Sequence, residues 1–206
     1  MKPVVLIGGG GHAVSVLAMN ENSTTIAGYT ALTPSEELNI PYIGTDQEAI
    51  SSLNPEAVMI HNAVGFTTGC SLTLRRKIAE QYSRFEQATL IAPSAWVSNG
   101  SRIAEGCAVM ARAVINESVI GAMSVINTGA IIEHNCLIGS NAFIGPGAIV
   151  CGGVAIGNDT FIGAGAIIKQ GVEITAGVVI GMGAVVTQSI TTPGTYIGNP
   201  AKKLEK

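Results

Sequence analysis

The sequence predicts an α/β domain over residues 1–87 followed, over 88–206, by a coil of short parallel strands wound around a three-sided aliphatic core. Two observations set the division. Up to about residue 87, short apolar runs alternate with stretches of helical length, the βαβ grammar of a parallel sheet. From about residue 90 a β-branched aliphatic recurs at every sixth position, a period that suits neither an isolated helix nor an alternating strand. Glycine agrees with both. It accounts for 26 of 206 residues, well above the usual ~7%, with no three-residue period and only 8 prolines, so the excess serves turns and not a collagen helix.

In the first region, Pro3 to Ile7 reads as a buried strand that ends in Gly8-Gly9-Gly10-Gly11-His12-Ala13, and Val14 to Met19 has helical length and spacing. Thr24 to Tyr29 is a second strand, Gln47 to Ser52 a short helix and Ala57 to His61 a third strand. Ser71 to Tyr82 is the best-defined helix. Ser71 suits its N-cap, and Leu72, Leu74, Ile78 and Ala79 fall on or near one face.

In the second region, Val114, Ile120, Ile126, Ile132, Ile138, Ile144, Val150, Ile156, Ile162, Ile168, Ile174, Ile180 and Val186 follow one another at six-residue intervals. Ile91, Val97, Ile103 and Val109 precede them at the same spacing, with a one-residue slip placed between Val109 and Val114. Two positions before each aliphatic, from Ser118 and Cys136 to Ala184, the residue is small or medium. Each hexad then makes one flat side with one aliphatic turned inward, and three hexads close one turn of 18 residues. Gly, Asn and Asp recur after the aliphatics, where corners need φ > 0.

Composition removes several function classes. Eleven Lys and Arg against 14 Asp and Glu leave a net charge of −3, with no basic cluster to follow a phosphate backbone, so nucleic acid is not an expected partner. Mean hydropathy is +0.43, yet no run of 18 apolar residues exists, and membrane insertion is not expected. Met1-Lys2-Pro3 leads straight into an apolar strand without a signal-peptide pattern, so a cytoplasmic chain is the expectation. There the four cysteines, Cys70, Cys107, Cys136 and Cys151, would stay reduced, and none forms a CxxC pair.

Two places can carry chemistry. His134 is the third residue of the hexad that begins at Ile132, a position turned away from the aliphatic core. A histidine side chain can take a proton near neutral pH, as a general base must, and no other residue of the repeats suits that role as well. The neighbouring Glu133 points to the opposite side of an extended segment. Cys136 falls on a position that faces inward, unsuited to an acyl-cysteine mechanism. The second place is the Gly8 to Ala13 turn, whose spacing lets a backbone approach a phosphate at a helix N-terminus in a Rossmann-like domain. A dinucleotide site would also need an acidic residue at the end of the second strand, where the chain reads Ala27-Gly28-Tyr29-Thr30-Ala31. One histidine in the coil excludes a three-histidine metal site, so no metal is expected. A purely structural coil would explain neither the glycine turn nor His134.

The hexads, the ending Tyr196-Ile197-Gly198-Asn199-Pro200-Ala201-Lys202-Lys203, the Gly8 to Ala13 turn, Leu74-Arg75-Arg76-Lys77, Pro93-Ser94-Ala95 and Ile132-Glu133-His134-Asn135-Cys136 together carry a resemblance. The chain resembles the bacterial sugar O- and N-acetyltransferases of the hexapeptide-repeat acyltransferases, and the repeat looks like their left-handed parallel β-helix. The resemblance implies acetyl-CoA as co-substrate, a nucleotide-sugar acceptor, a homotrimer with sites between neighbouring prisms, and a role in surface-glycan synthesis. It implies His134 as general base, with Asn135 standing where many relatives have an acidic residue and Phe143 where some have a second histidine. It puts Gly8, Gly9, Gly10, Gly11, His12 and Thr30 at the nucleotide sugar, although Thr30 and Ala31 replace an aspartate found in relatives. Gly152, Gly163 and Ala164 would line the pantetheine, with Lys202 and Lys203 near the CoA phosphates. The implied reaction is N-acetylation of a nucleotide-linked 4-amino-4,6-dideoxysugar; O-acetylation of a sialic-acid-type sugar is the alternative.

Overall fold

Val4, Val5, Leu6 and Ile7 are all fully buried, as a strand covered on both faces requires, and they form the inner strand β1 (Val4–Ile7) of a parallel sheet. The computed structural model describes residues 2–21, 23–66 and 72–205. In it the chain divides into two compact units, Met1–Pro93 and Ser94–Lys206. The division falls later than the change of sequence period at residue 87. Its cause is local: Gln87 bridges to Ile60, and the Ala88 amide donates to the Ile60 carbonyl at 2.7 Å, which ties this segment to the first unit.

The first unit continues with α1 (Gly11–Met19), β2 (Ile26–Thr30), β3 (Tyr42–Gly44), α2 (Asp46–Ser52), β4 (Met59–Asn62) and α3 (Leu72–Gln81). The strands pair in parallel in the order β3-β2-β1-β4. Helix α1 starts at Gly11, three residues before the expected Val14, and buries Ala13, Val16 and Met19. Helix α2 opens with a capping box in which Thr45 and Glu48 satisfy each other's backbone amides. Strand β3 was not expected from the sequence; it is a three-residue edge strand directly after Pro41. Helix α3 buries Leu72, Arg75 and Ile78, so Leu74 lies off the core face and is 43% exposed, contrary to the expected apolar stripe. Ser71, read as its N-cap, lies outside the described residues, as does Cys70.

The second unit is a parallel β-helix. Strands of two residues pair with strands 18 residues further on: Val119–Ile120 with Leu137–Ile138, Val125–Ile126 with Phe143–Ile144, and Ile131–Ile132 with Ile149–Val150. Three stacked sheets result. In the strands from Ala108–Val109 to Val185–Val186 the last residue turns inward, and the residue two positions before it, from Cys107 to Ala184, closes the same core. The buried hydroxyls of Ser118 and Ser124 accept from the Cys136 and Ala142 amides at 2.9 and 3.1 Å, so the small polar positions are satisfied as well.

Two details of the repeat differ from the sequence reading. Ile115, not Val114, belongs to the core, so the five-residue step falls between Ile115 and Ile120. The turn there is one residue shorter, with its positive φ at Glu117. Ile91 is 41% exposed and does not join the row of inward aliphatics.

Candidate functional site

His134 stands exposed at the corner between strands Ile131–Ile132 and Leu137–Ile138. The corner itself is made by Asn135, with φ of 58°, a left-handed conformation that asparagine tolerates better than most residues. The same residue flanks the ring, its Nδ2 lying 3.3 Å from His134 Nδ1. An amide presents nearly the same shape when its oxygen and nitrogen are exchanged. With Oδ1 toward the ring it accepts from Nδ1–H, and Nε2 is left bare to take a proton.

One coil further on, Gly152 makes room for this ring. A Cβ there would stand 2.6 Å from His134 Nε2 and 2.7 Å from Cε1, so any side chain would displace the imidazole. The Gly153 amide donates to the His134 carbonyl at 2.8 Å and holds the two coils in register. Glu133 turns elsewhere, its Oε2 3.5 Å from Asn116 Nδ2. Cys136 is buried in the core and its thiol is pushed up in pKa, chiefly by that burial, so it is no nucleophile. Cys107 is buried too, whereas Cys151 is only half-buried.

The other residues expected at the acetyl donor occupy a different edge of the prism. Gly163 and Ala164 follow strand Phe161–Ile162, and a Cβ at Gly163 would stand 2.5 Å from the Met182 backbone nitrogen. Close coil-to-coil packing therefore demands glycine at 163 on its own account. Lys202 and Lys203 are exposed on a last strand antiparallel to Gly194–Ile197. Within one chain, Gly152 goes with His134, while Gly163 and Ala164 stand on the corner before the strand Ile167–Ile168.

The first unit holds a cavity of about 670 Å³ at the carboxyl ends of β1 and β2, where open parallel sheets bind ligands. Gly8, Gly9 and Gly10 form one wall. Gly8 has φ of 114°, and a Cβ on Gly9 would meet Ala31 Cβ at 2.9 Å, so the turn needs glycine at both positions. Gly10 is the N-cap of α1 and offers no side chain, which leaves the first turn open to an anion. Thr30 also lines the cavity; Gly11 and His12 do not.

His12 is half-buried on α1, with its pKa lowered to about 3 by burial and by the charges of Arg75 and His61. His61, fully buried on β4, is lowered to about 4, again by burial first, although its Nδ1–H donates to the Ala88 carbonyl at 2.9 Å. Arg75 is buried beside them and donates to the carbonyls of Val64 and Asn62, and Asn62 Nδ2 returns a bond to the Arg75 carbonyl at 2.9 Å. Both histidines therefore remain neutral where the arginine carries the charge.

The sequence reading missed Asp46. It begins α2, lines the cavity, and accepts from the Thr30 hydroxyl at 2.7 Å and the Tyr82 hydroxyl at 3.1 Å, all through Oδ1. Burial and the Asp46 charge raise the Tyr82 pKa, so that hydroxyl keeps its proton and stays a donor. The capping box Thr45-Asp46-Gln47-Glu48 was the available signal, since it fixes Asp46 at the start of a helix.

Among the described residues no group of His, Cys, Asp and Glu could hold a metal ion, and no helix is long and apolar enough to cross a membrane. No curated protein sequence matches the chain. Residues 117–152 and 153–188 match the family model for bacterial transferase hexapeptides. The acetyltransferase domain of PglB from Neisseria gonorrhoeae FA1090 is 36% identical, with 99% of this chain and 100% of that one aligned at a TM-score of 0.90. PerB from Caulobacter crescentus, in complex with CoA and GDP-perosamine, is 35% identical over 100% of this chain and 98% of that one, at a TM-score of 0.91. WeeI from Acinetobacter baumannii AYE, 20% identical over 99% and 100% of the two chains, shares the fold at a TM-score of 0.83. The likeness thus runs along the whole length of the chain, through both units, and this chain belongs to the hexapeptide-repeat transferases and, among them, to the sugar acetyltransferases.

Proposed function

We propose that the protein transfers the acetyl group of acetyl-CoA to the amino group of a nucleotide-linked 4-amino-4,6-dideoxysugar. The observation that carries this reading is the whole-length likeness to PerB, whose structure holds CoA and GDP-perosamine. The first-unit cavity takes the nucleotide, with its phosphates at the Gly8–Gly10 turn. His134 is the general base: the acceptor nitrogen attacks the thioester carbonyl carbon, and a proton passes from that nitrogen to Nε2. The tetrahedral intermediate then collapses, the C–S bond breaks, and CoA leaves as a thiolate that takes the proton back from the imidazolium. Nothing else is consumed.

The acetyl donor lies in a groove shared between neighbouring copies of a homotrimer. Two observations support this. Gly152 with His134 and Gly163 with Ala164 occupy different edges of one prism, so a groove between prisms can draw one edge from each copy. The sheet face that carries Val119 and Leu137 also leaves these side chains 38% and 58% exposed. Sedimentation at micromolar protein tests the assembly, and a stable monomer would overturn the shared groove.

The activity itself is tested by incubating the protein and acetyl-CoA with a panel of nucleotide-linked 4-amino sugars, following CoA thiol release and the mass of the product. Acetylation of the amine is the expected result. Acetylation of a sugar hydroxyl, or no transfer to any amine, would sink the reading.

A further inference from the structure

Among the described residues Asp46 is the one acidic side chain lining the first-unit cavity, and neither a helix cap nor an ion pair with another described residue accounts for it. Thr45 is the N-cap of α2, and Glu48 completes the capping box. The Asp46 carboxylate is instead turned to the strand ends, where two buried hydroxyls hold it, Thr30 at the end of β2 and Tyr82 beyond α3. Both bonds go to Oδ1. Oδ2 receives no hydrogen bond from the described residues, and the residue is half-buried at the cavity wall.

Topology gives this arrangement its meaning. In open sheets with a glycine-rich first turn, the carboxylate at the end of the second strand accepts from the ribose hydroxyls of the bound nucleotide. Here Thr30 occupies that place and carries no charge, but its hydroxyl reaches the Asp46 carboxylate, which arrives from the adjacent edge strand. We infer that Asp46 is the ribose-reading residue of the acceptor site, positioned by Thr30 and Tyr82, and that the site therefore selects ribonucleoside diphosphate sugars over their 2′-deoxy counterparts. The inference rests on the proposed nucleotide-sugar function.

The hydroxyl pair of a ribose offers two donors to one carboxylate oxygen with two lone pairs, whereas a 2′-deoxyribose offers one. A hydrogen bond to a charged acceptor that is lost on substitution changes affinity by about 10- to 100-fold. The unpaired Oδ2 is thus sufficient to make the choice between the two sugars.

Calorimetric titration of the full protein with GDP, 2′-deoxy-GDP, UDP and 2′-deoxy-UDP tests this, for the wild type, Asp46→Ala and Thr30→Val, each checked for an unchanged circular dichroism spectrum. The wild type should bind each ribonucleotide at least about 10-fold more tightly than its deoxy form. Asp46→Ala should abolish that ratio, weakening the ribonucleotides more than their deoxy forms, which lose one hydrogen bond and not two, and Thr30→Val, which cannot hold the carboxylate, should reduce it. Equal binding of ribo and deoxy forms by the wild type would overturn the inference and leave the nucleotide-sugar function standing. So would a ratio that survives in Asp46→Ala, or a variant that changes the preference between GDP and UDP, which would put Asp46 at the base. Failure of the wild type to bind any of the four probes would overturn both.

Discussion

The two units of this chain separate stability from chemistry in opposite ways. In the β-helix the core is a column of Ile, Val and Ala that contains no ionisable group apart from thiols, and His134 stands outside it on a corner. In the α/β unit, His61, Arg75 and Tyr82 are buried, and their hydrogen bonds fix the segments that bound the cavity. A coil that repeats every 18 residues has many corners free to vary without disturbing its core. A small open sheet has one ligand-binding end, so the groups that shape the site are also groups that hold the fold. Substitutions at the site should therefore cost rate in one unit and both affinity and stability in the other.

The strongest test of that contrast is His134→Ala. Removing a general base typically lowers the rate 10²–10⁴-fold, and because the loss falls in the transition state the acceptor KM should move little. The melting temperature should stay within about a degree, since an exposed corner side chain is deleted. Steady-state kinetics with a melting curve checks both halves. A raised KM with kcat preserved would make His134 a sugar contact, and a large loss of stability would break the separation claimed for the coil.

Gly152→Ala sharpens the same point with a smaller expected effect. A single methyl there lies within 2.6 Å of Nε2, so it moves the base rather than the fold. Displacing a catalytic group by about 1 Å costs roughly 10²-fold, and kcat should carry the loss. A change confined to the KM for acetyl-CoA would show that Gly152 serves the donor groove alone.

The α/β unit is tested by acid. His61 falls from 6.5 to about 4 on folding, so between those values the unfolded chain binds a proton that the folded chain refuses. Stability is complete above pH 6.5 and declines as pH falls through the window, by about 2 kcal/mol at pH 5. His12, lowered to about 3, acts in the same direction. Amide exchange at β4, corrected for the intrinsic rate, should lose protection between pH 7 and pH 5, and His61→Gln should lessen that loss. Amides at Ile132 and Ile144 in the coil should change far less, because no buried histidine lies there.

The coil was legible in the sequence because one physical requirement, an aliphatic at each inward position, is met by the same residue types every time. The misplaced step in its period has a physical cause. Val114 and Ile115 are both β-branched, and only the short turn at Glu117 decides which of them faces inward. In the α/β unit the pattern was weaker wherever a polar residue took a core place: Arg75 on α3 displaced Leu74 from the expected face, and the three residues of β3 were too few to show alternation. His134 could be picked out because no competing base exists in the repeats. Asp46 could not, since its role depends on two hydroxyls, at Thr30 and Tyr82, that are distant in the chain.

The smallest expected effect belongs to Asn135→Asp. Asn135 makes the corner at φ of 58° and sits 3.3 Å from the Nδ1 of His134. Aspartate tolerates the same left-handed conformation, so the coil should be indifferent to the change. The ring should not be. A carboxylate at Nδ1–H favours the imidazolium over the neutral ring, so the rising limb of the pH–rate profile should move to higher pH. At an exposed corner, solvent screening keeps the move small. Above the limb the rate should equal or exceed that of the wild type, because aspartate has no amide group to turn its donor toward Nδ1 and hold the ring with the proton on Nε2. An unmoved limb would mean that Asn135 shapes the corner but does not orient the base, and that the chemistry of this coil rests on His134 and the space above Gly152 alone.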